Sequence, residues 1–372
     1  MKPVCLFMIN GLGMGNSTRC YAVIEQLRAR GVEVHVLTSG NGLEFFRDKP
    51  EIASLNRMEN FFYSVKDNQI SAWRTVLSVR QLVRRAWVKN RQLEALLRRL
   101  RPAVVVTDSE YTIGPVRRRR IPVVALNNAD VVVGEYLRRR GKPRSIMGQF
   151  WLVEFTDYLF HRFFADLVIS PAPLRLSARH ARIRRVGLIL RREVRDNLPP
   201  GGPFPSPRSL RTLLFMLSGS TLGTKKTLLF HDLPCLVAVI GRDGPSDGQV
   251  TYHGRVMHNT PHLLQADLLV VNGGFSAVSE ALALNKPTLV IPVPRHAEQY
   301  VNAMLLKDLG RGDAVTEENV IARLKELYEA DAWTGFAARS DTLCLDGARE
   351  AAEIIMEVLE KSGRLEGDKK QP

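Results

Sequence analysis

The chain has 372 residues, of which 45% are hydrophobic and 24% charged, so a disordered protein is excluded and two ordinary domains can each bury a core. The formal net charge of +15 favours polyanionic partners such as anionic lipids or phosphorylated substrates, unless arginine only coats solvated faces. The scattered cysteines exclude a disulfide framework or zinc site and indicate a reducing, cytoplasmic compartment; they are Cys5, Cys20, Cys235 and Cys344.

Short apolar runs alternate with longer amphipathic segments along the whole chain. The runs, taken as strands, cover residues 4–9, 33–38, 103–107, 122–126, 167–170, 212–217, 236–240, 268–271 and 288–292. The first run enters a glycine loop without a cleavage-like region, so we expect a strand there and not a signal peptide. No run approaches the roughly 20 residues of a transmembrane helix. The alternation predicts an α/β fold with two doubly wound parallel-sheet domains facing across a cleft.

The domain boundaries follow from a stretch rich in proline and glycine, "RDNLPPGGPFPSPRS". It predicts an N-terminal domain over 1–194, a linker over 195–209 and a C-terminal domain over 210–362, followed by a disordered polar tail over 363–372. A long basic helix is predicted over 71–101, with Leu93, Leu96, Leu97 and Leu100 towards the core. Its arginines indicate either a membrane-facing surface or an ordinary solvated helix face.

The first glycine loop, "INGLGMGNSTR", carries Gly11, Gly13 and Gly15 between a strand and a helix that we expect to be capped by Asn16 or Ser17. The spacing does not match the dinucleotide pattern G-x-G-x-x-G, and no acidic residue ends the second strand. Three glycines exceed what a tight turn needs, so the loop is predicted to let a ligand approach its backbone.

A second glycine loop in the C-terminal half has features of a nucleotide diphosphate site. Gly273 and Gly274 follow a strand and precede a helix, whose N-terminus suits an anionic diphosphate. Glu280, about two turns into that helix, is placed to accept hydrogen bonds from a ribose diol. Sugar hydroxyls are predicted to meet His296, Glu298 and Gln299, and a further small-residue loop covers Ser218, Gly219, Ser220 and Thr221.

These segments resemble the nucleotide-sugar glycosyltransferases of the GT-B fold, and within it the MurG-like family 28. The likeness lies in "NGGFSAVSEALALNKPTLVIPVPRHAEQYVNA", "LSGSTLG" and "INGLGMGNSTR", and is weak over 40–100 and 131–189. It implies that the N-terminal domain binds the acceptor and the C-terminal domain a UDP-sugar, a co-substrate used without metal or other cofactor and with inversion. The implied donor residues are Ser218, Gly219, Ser220, Thr221, Val256 at the uracil, Gly273, Gly274, Phe275, Ser276, Glu280, His296, Glu298 and Gln299.

The sequence departs from the family at the end of the first glycine loop. Many relatives have a histidine there, proposed as the base for the acceptor hydroxyl, whereas this chain has Asn16, whose amide takes up no proton at neutral pH. Asp108, at a predicted strand end facing the cleft, is the alternative base, with Glu110 next; the other interpretation is that Asp108 caps the following helix. Asn127 and Asn128 are predicted to line the acceptor cleft.

The predicted activity is transfer of a hexose or N-acetylhexosamine from a UDP-sugar to a hydroxyl of a lipid-linked or secondary-metabolite acceptor. The basic N-terminal half indicates a cytoplasmic protein, peripheral at an anionic membrane face. The alternatives are a nucleotide-sugar 2-epimerase of the same fold and a non-catalytic binding protein marked by Asn16. No nucleic-acid partner is expected, because no motif of the known modules accompanies the charge.

Overall fold

A computed structural model describes residues 2–11, 13–58, 87–174, 180–198, 209–217, 230–256, 258–329, 332–336 and 343–368 of the chain. Within these ranges two parallel β-sheets form the centres of two α/β units. The predicted fold class is therefore confirmed.

The first sheet has seven parallel strands in the order β3-β2-β1-β4-β5-β6-β7. They are β1 (Val4–Ile9), β2 (Glu33–Thr38), β3 (Ser54–Arg57), β4 (Val104–Asp108), β5 (Val123–Leu126), β6 (Leu167–Pro171) and β7 (Ile183–Val186). The central β1 and β4 are almost wholly buried. This explains the apolar sequence of β1 and the three valines that begin β4, because helices cover both faces of a parallel sheet.

The second sheet has six parallel strands in the order β10-β9-β8-β11-β12-β13. They are β8 (Thr212–Met216), β9 (Leu236–Ile240), β10 (Val250–Tyr252), β11 (Leu268–Asn272), β12 (Thr288–Ile291) and β13 (Gly312–Ala314). All nine predicted strands are present in the two sheets. The four that the sequence analysis missed, β3, β7, β10 and β13, are the edge strands.

Helices cover both sheets. Those before the second sheet are α1 (Met14–Ala29), α2 (Asn41–Phe46), α3 (87–100), α4 (Gly114–Arg118), α5 (Ala129–Arg138), α6 (Met147–Gln149), α7 (Phe155–Phe164) and α8 (Arg192–Arg195). A π-helical turn, Phe150–Glu154, joins α6 to α7. The later helices are α9 (Thr260–Gln265), α10 (Phe275–Ala283), α11 (Ala297–Asp308), α12 (Val320–Glu329) and α13 (Gly347–Asp368). Short 3-10 turns cover Arg144–Ile146, Phe230–Asp232 and Ala332–Gly335.

The C-terminal helix corrects two predictions about domain organisation. Helix α13 does not belong to the C-terminal domain, because Ala351, Ile355 and Leu359 pack with α1 and β1 in the core of the first unit. The predicted disordered tail is also wrong over 363–368, where α13 continues to Asp368. The strongly amphipathic sequence of α13 explains its docking, since one apolar face needs a partner and the first sheet offers one. Residues 369–372 lie outside the described ranges.

The chain crosses between the two units at two adjacent segments. The outgoing segment follows β7, and the returning segment precedes α13; the amide of Leu188 donates to the carbonyl of Cys344 at 2.6 Å. A Cβ at Gly187 would lie 2.4 Å from that carbonyl oxygen, so this close crossing requires glycine. Most of the predicted linker, 199–208, lies outside the described ranges, while Arg195 belongs to α8.

Helix α3 is the described part of the predicted long basic helix. It ends before Pro102, and Leu93, Leu96 and Leu97 are buried, as predicted, while Leu100 is partly buried. Trp87 on the same helix is 57% exposed. Residues 71–86 of the prediction lie outside the described ranges. No helix of the described chain combines the length and the apolar character needed to cross a bilayer.

Candidate active site

Both glycine loops begin where the strand order reverses in a sheet. In the first sheet the reversal falls between β1 and β4, and in the second between β8 and β11. In open α/β sheets a crevice forms at this point, outside the carboxyl ends of the strands, and ligands bind there. The loop after β1, the loop after β4 and the loop after β11 therefore face candidate ligand sites.

Two glycines of the first loop have different structural roles. A Cβ built at Gly11 would lie 1.6 Å from the carbonyl oxygen of Ser39, so packing requires glycine there. A Cβ at Gly13 would have no described atom within 4 Å, and its φ of −118° and ψ of 160° suit any residue. Neither the backbone nor the described packing explains Gly13, which leaves open space in front of the loop.

Helix α1 begins at Met14 with Gly13 as its N-cap, so the predicted cap at Asn16 or Ser17 is wrong. Asn16 lies in the first turn, where its Oδ1 accepts a hydrogen bond from Arg19 Nη2 at 3.4 Å. No side chain caps the helix. The physical reason is that a glycine N-cap is almost as favourable as a polar one, and it leaves the first N–H groups uncovered for a ligand.

The second glycine loop has the same division of roles. A Cβ at Gly273 would lie 2.5 Å from the carbonyl oxygen of Gln299, whereas one at Gly274 would meet no described atom within 4 Å. Gly274 is the N-cap of α10, again without a side-chain cap. Phe275 is buried and Ser276 half-buried at the helix start. This uncapped N-terminus, with its positive dipole end, has the chemistry of an anion site.

The two loops meet across the cleft between the units. Ser276 Oγ donates to the carbonyl oxygen of Gly15 at 3.3 Å, and a Cβ at Gly15 would lie 3.2 Å from the same hydroxyl. Farther along the cleft, Arg255 of the second unit donates to Glu44 of the first at 2.9 Å. The starts of α1 and α10 are therefore in direct contact.

Asp108 ends β4 and is fully buried. Arg19 Nη2 donates to its two oxygens at 2.7 and 2.8 Å, and Arg19 Nε donates at 3.0 Å. Burial opposes the charge of Arg19, but Asp108 outweighs it, and the pKa of Arg19 is raised. The alternative of a helix cap is wrong, because Ile113 is the N-cap of α4. The assignment of Asp108 as the base stays a prediction. In the structure its carboxylate is held by the guanidinium of Arg19.

Glu110 lies just beyond β4 and is also paired. Lys89 Nζ donates to its two oxygens at 2.8 and 2.9 Å, and the amide of Thr112 donates at 3.0 Å. Both groups of the ion pair are buried. Glu110 is therefore fixed by a cation from α3.

Asn127 and Asn128 follow β5 and are both buried. Asn127 Oδ1 accepts a hydrogen bond from the amide of Ala129, and Asn128 is the N-cap of α5. The side-chain nitrogens of both have no hydrogen-bond partner within the described ranges. Two buried donors at a strand end are consistent with acceptor binding, which stays a prediction.

Glu280 lies in α10 and forms an ion pair that the sequence did not indicate. Arg191 donates to it through Nε at 2.6 Å and through Nη2 at 2.9 Å. The same Nη2 donates to Asn259 Oδ1 at 2.7 Å. Burial opposes the charge of Arg191, but Glu280 outweighs it, and the pKa of Arg191 is raised. The carboxylate predicted to bind ribose is thus held by the crossover between the units.

His296 ends the loop before α11 as the N-cap of that helix, whereas Glu298 and Gln299, predicted in the same loop, lie in the first turn of the helix. Gln299 Oε1 accepts hydrogen bonds from the amides of Gly273 at 3.2 Å and Val293 at 3.0 Å, so it ties this loop to the second glycine loop. Gln149 of α6 reaches across from the first unit, and its Oε1 accepts from the amide of Ala297 at 2.8 Å.

Glu154, at the end of the π-helical turn, lies against this loop. Ligand atoms of Glu154, His296 and Glu298 all lie within 4.8 Å of one another. Burial, and then the charge of Glu298, raise the pKa of Glu154 to about 8. By ligand type the three groups could hold a divalent cation. The expectation that no metal takes part stays a prediction.

A family model described as "Glycosyl transferase family 1" matches residues 4–142 and 205–328. The chain belongs to this glycosyltransferase family. The match covers more than half of the chain and includes both glycine loops. It leaves out residues 143–204, which contain Glu154 and Arg191.

Known proteins similar to this glycosyltransferase extend over nearly its whole length. An "Uncharacterized glycosyltransferase" of Methanosarcina acetivorans is 25% identical, covering 98% of this chain and 99% of its own. The "UDP-N-acetylglucosamine--N-acetylmuramyl-(pentapeptide) pyrophosphoryl-undecaprenol N-acetylglucosamine transferase" of Shouchella clausii is 23% identical, covering 96% and 98%. A solved "Glycotransferase of kitacinnamycin" has a TM-score of 0.63 at 20% identity, covering 96% and 100%, which is a likeness of the GT-B fold.

The residues predicted to bind the donor lie within the described ranges except for one loop. Ser218, Gly219, Ser220 and Thr221 lie outside the described ranges. Val256 is half-buried, three residues before Asn259, and packs against the core of the second unit. The structure brings Gly273, Gly274, Ser276 and Gln299 together around the start of α10.

Three charged residues of the glycosyltransferase cleft were missed in the sequence: Arg19, Glu154 and Arg191. Arg19 follows Asn16 by one helical turn, a spacing that could have indicated it. Glu154 and Arg191 lie within residues 143–204, which the family model leaves out, and their charged partners across the cleft are more than 85 residues away in sequence. No local pattern announces such contacts.

Proposed function

We propose that the chain transfers a hexose or N-acetylhexosamine from a UDP-sugar to an acceptor hydroxyl, without a metal ion and with inversion at the anomeric carbon. The observation that carries this proposal is the pair of facing loops, each with a glycine that no described packing requires, Gly13 and Gly274. Glu280, the proposed ribose ligand, lies on the same helix, six residues after Gly274. The activity for which the Shouchella clausii relative is named supports a UDP-linked donor and a MurG-like, family 28 assignment.

In this proposal the donor diphosphate lies at the start of α10. The uncovered N–H groups after Gly274 and the helix dipole stabilise the negative charge that grows on the leaving diphosphate. Glu280 accepts hydrogen bonds from the ribose, while Glu298 and Gln299 hold the sugar hydroxyls. The backbone at Val256 meets the uracil.

The acceptor hydroxyl enters from the first unit, in front of Gly13. Its proton must pass to a base as the oxygen attacks the anomeric carbon, and Asn16 cannot take it. Asp108 is the proposed base, which acts once Arg19 turns away from it; Glu110 is second. Asn127 and Asn128 orient the acceptor with their unpartnered amide groups.

A lipid-linked acceptor is favoured by an exposed apolar surface next to the cleft. It is formed by Met147, Trp151, Leu152 and Val153, with Leu152 76% exposed. Arg138, Arg140 and Arg144 are exposed nearby in sequence. Apolar side chains flanked by arginine suit a peripheral contact with an anionic membrane, where such an acceptor is found. A secondary metabolite is the other proposed acceptor class, since one solved protein of similar fold is named for kitacinnamycin.

Donor screening tests the proposal. The purified chain is incubated with UDP-, dTDP- and GDP-sugars, and thermal unfolding is followed; a tight ligand raises Tm by mass action. We expect one UDP-sugar to stabilise most and its sugar to appear on an acceptor by mass spectrometry, with equal yield in EDTA. Stabilisation by no nucleotide sugar contradicts the donor assignment. Loss of product in EDTA that manganese restores contradicts the metal-free mechanism.

A further inference from the structure

Arg191 connects the two halves of the proposed nucleoside site. Its guanidinium donates to both oxygens of Glu280 and, through Nη2, to Asn259 Oδ1. Glu280 is the proposed ribose ligand, and Asn259 ends the segment in which Val256 meets the uracil. The side chain of Arg191 therefore contacts both the carboxylate of Glu280 and the segment proposed to bind the uracil base.

Arg191 is held in place by its position at the crossover between the two units and by its burial. It follows the buried crossover Leu188–Leu190 and is the N-cap of α8, so its backbone is anchored where the chain passes from the first unit to the second. The side chains of Arg191 and Glu280 are only 12% and 8% exposed. A buried guanidinium paired with both oxygens of a carboxylate holds it in one rotamer.

The pairing leaves Glu280 able to bind a diol. A carboxylate offers about four lone-pair positions, of which Arg191 occupies two. The other two remain for the 2′- and 3′-hydroxyl groups of a ribose. The positive charge of Arg191 also offsets that of Glu280, so a carboxylate beside a donor diphosphate does not repel it.

We infer that Arg191 is a positioning residue that orients Glu280 towards the ribose diol and thereby makes this site select ribonucleotide over 2′-deoxyribonucleotide donors. The inference rests on the proposed UDP-sugar function and deepens it. The residue acts through Glu280 and Asn259 and needs no contact with the sugar being transferred.

Calorimetry of the full-length chain with UDP and 2′-deoxy-UDP tests the inference. The wild type should bind UDP at least ~10-fold more tightly, as expected when a hydrogen bond to a charged group is lost. Arg191→Met should reduce this ratio several-fold. Arg191→Lys, which cannot donate to both oxygens in a fixed fork, should give an intermediate ratio. Arg192→Met is the matched control, because Arg192 is 62% exposed and its side chain donates to Asp196, outside the site.

The ratio of the two affinities distinguishes a positioning role from a general loss of structure, since partial unfolding weakens the binding of UDP and of 2′-deoxy-UDP alike. A wild-type ratio in Arg191→Met overturns the inference. If Arg191→Met does not fold, a wild-type ratio in Arg191→Lys overturns it equally. Failure of the wild type to bind UDP contradicts the proposed function itself. A wild type that binds UDP and 2′-deoxy-UDP equally contradicts the role of Glu280 and, with it, that of Arg191.

Discussion

Arg19 and Asp108 form a buried ion pair in which the guanidinium donates to both carboxylate oxygens, at the reversal point of the first sheet. Arg19 lies one turn after Asn16, and its charge also interacts with Glu298 at the start of α11. The carboxylate proposed as base is thus linked through one arginine to the donor side. A substitution at Asp108 therefore also removes this ion pair, so its effects on stability and on turnover must be measured separately.

Asp108→Asn should both slow turnover and destabilise the fold. A general base contributes about 10²–10⁴-fold to the rate. Removing one partner of a buried ion pair costs about 3–5 kcal/mol, because Arg19 keeps its charge without compensation. Denaturant unfolding gives the second quantity, and turnover of the folded fraction the first. Arg19→Met combined with Asp108→Asn should recover part of the stability. Normal turnover in folded Asp108→Asn would eliminate Asp108 as the base and leave Glu110.

An added side chain should lower the stability of the fold at Gly11, whereas at Gly13 it should leave the stability nearly unchanged and block transfer. Gly11→Ala forces a Cβ to within 1.6 Å of the Ser39 carbonyl oxygen, so we expect a loss of about 1–3 kcal/mol or more in the free energy of unfolding. A Cβ at Gly13 meets no described atom within 4 Å, so Gly13→Val should keep Tm within a few degrees while blocking transfer. UDP binding in the second unit should survive. Full turnover of Gly13→Val would contradict the proposal that substrates approach this backbone.

Glu154 should make stability depend on pH. Its pKa is raised from 4.5 to about 8 by burial, then by the charges of Glu298 and Asp157, while Gln149 donates to it and lowers the pKa. Between pH 4.5 and about 8 the folded chain therefore holds a proton that the unfolded chain has lost. The free energy of unfolding falls as pH rises through this window and is constant above it.

Glu154→Gln carries a permanent uncharged group and should flatten this decline between pH 5 and 8, measured as Tm. Glu25, whose pKa burial and then Glu51 raise to about 7, contributes a decline of the same sign in both proteins. Glu25→Gln is therefore the matched control and should flatten the lower part of the window. A Glu154→Gln profile parallel to the wild type would mean that Glu154 is ionised in the folded chain.

The exposed apolar surface should bind anionic vesicles. Replacing Trp151 and Leu152 together by serine should weaken sedimentation with vesicles that contain phosphatidylglycerol, since apolar area and nearby arginine act together. Binding should also weaken from low to physiological salt, because the charge contribution is screened. Leu236→Ser is the control, an apolar side chain 57% exposed on the second unit. Equal binding by the wild type and the double variant would place the contact elsewhere.

The central strands and the glycine loops could be predicted from the amino-acid sequence alone. Strands β1, β2 and β9 have the predicted bounds. Both faces of a parallel sheet are covered, so the apolar runs of β1 and β9 mark them as strands, and β2 is marked by Val34, Val36 and Leu37. The edge strands have no such requirement, and the polar segments β3 and β7 carried no recognisable signal. The glycine loops and the helix after Gly274 were likewise evident, since backbone geometry restricts which residues can occupy them.

The pairing of the buried charges depends on the three-dimensional fold and could not be predicted from the sequence. Asp108 and Glu280 were both identified as candidate site residues, but their partners Arg19 and Arg191 lie 89 residues away in each case. Nor did local sequence place α13 against the first unit, or Glu154 beside Glu298. An amphipathic pattern or a lone carboxylate indicates that a partner is needed, but not which residue it is. The partner depends on how distant elements pack, because ion pairing and burial depend on distance in space and not along the chain.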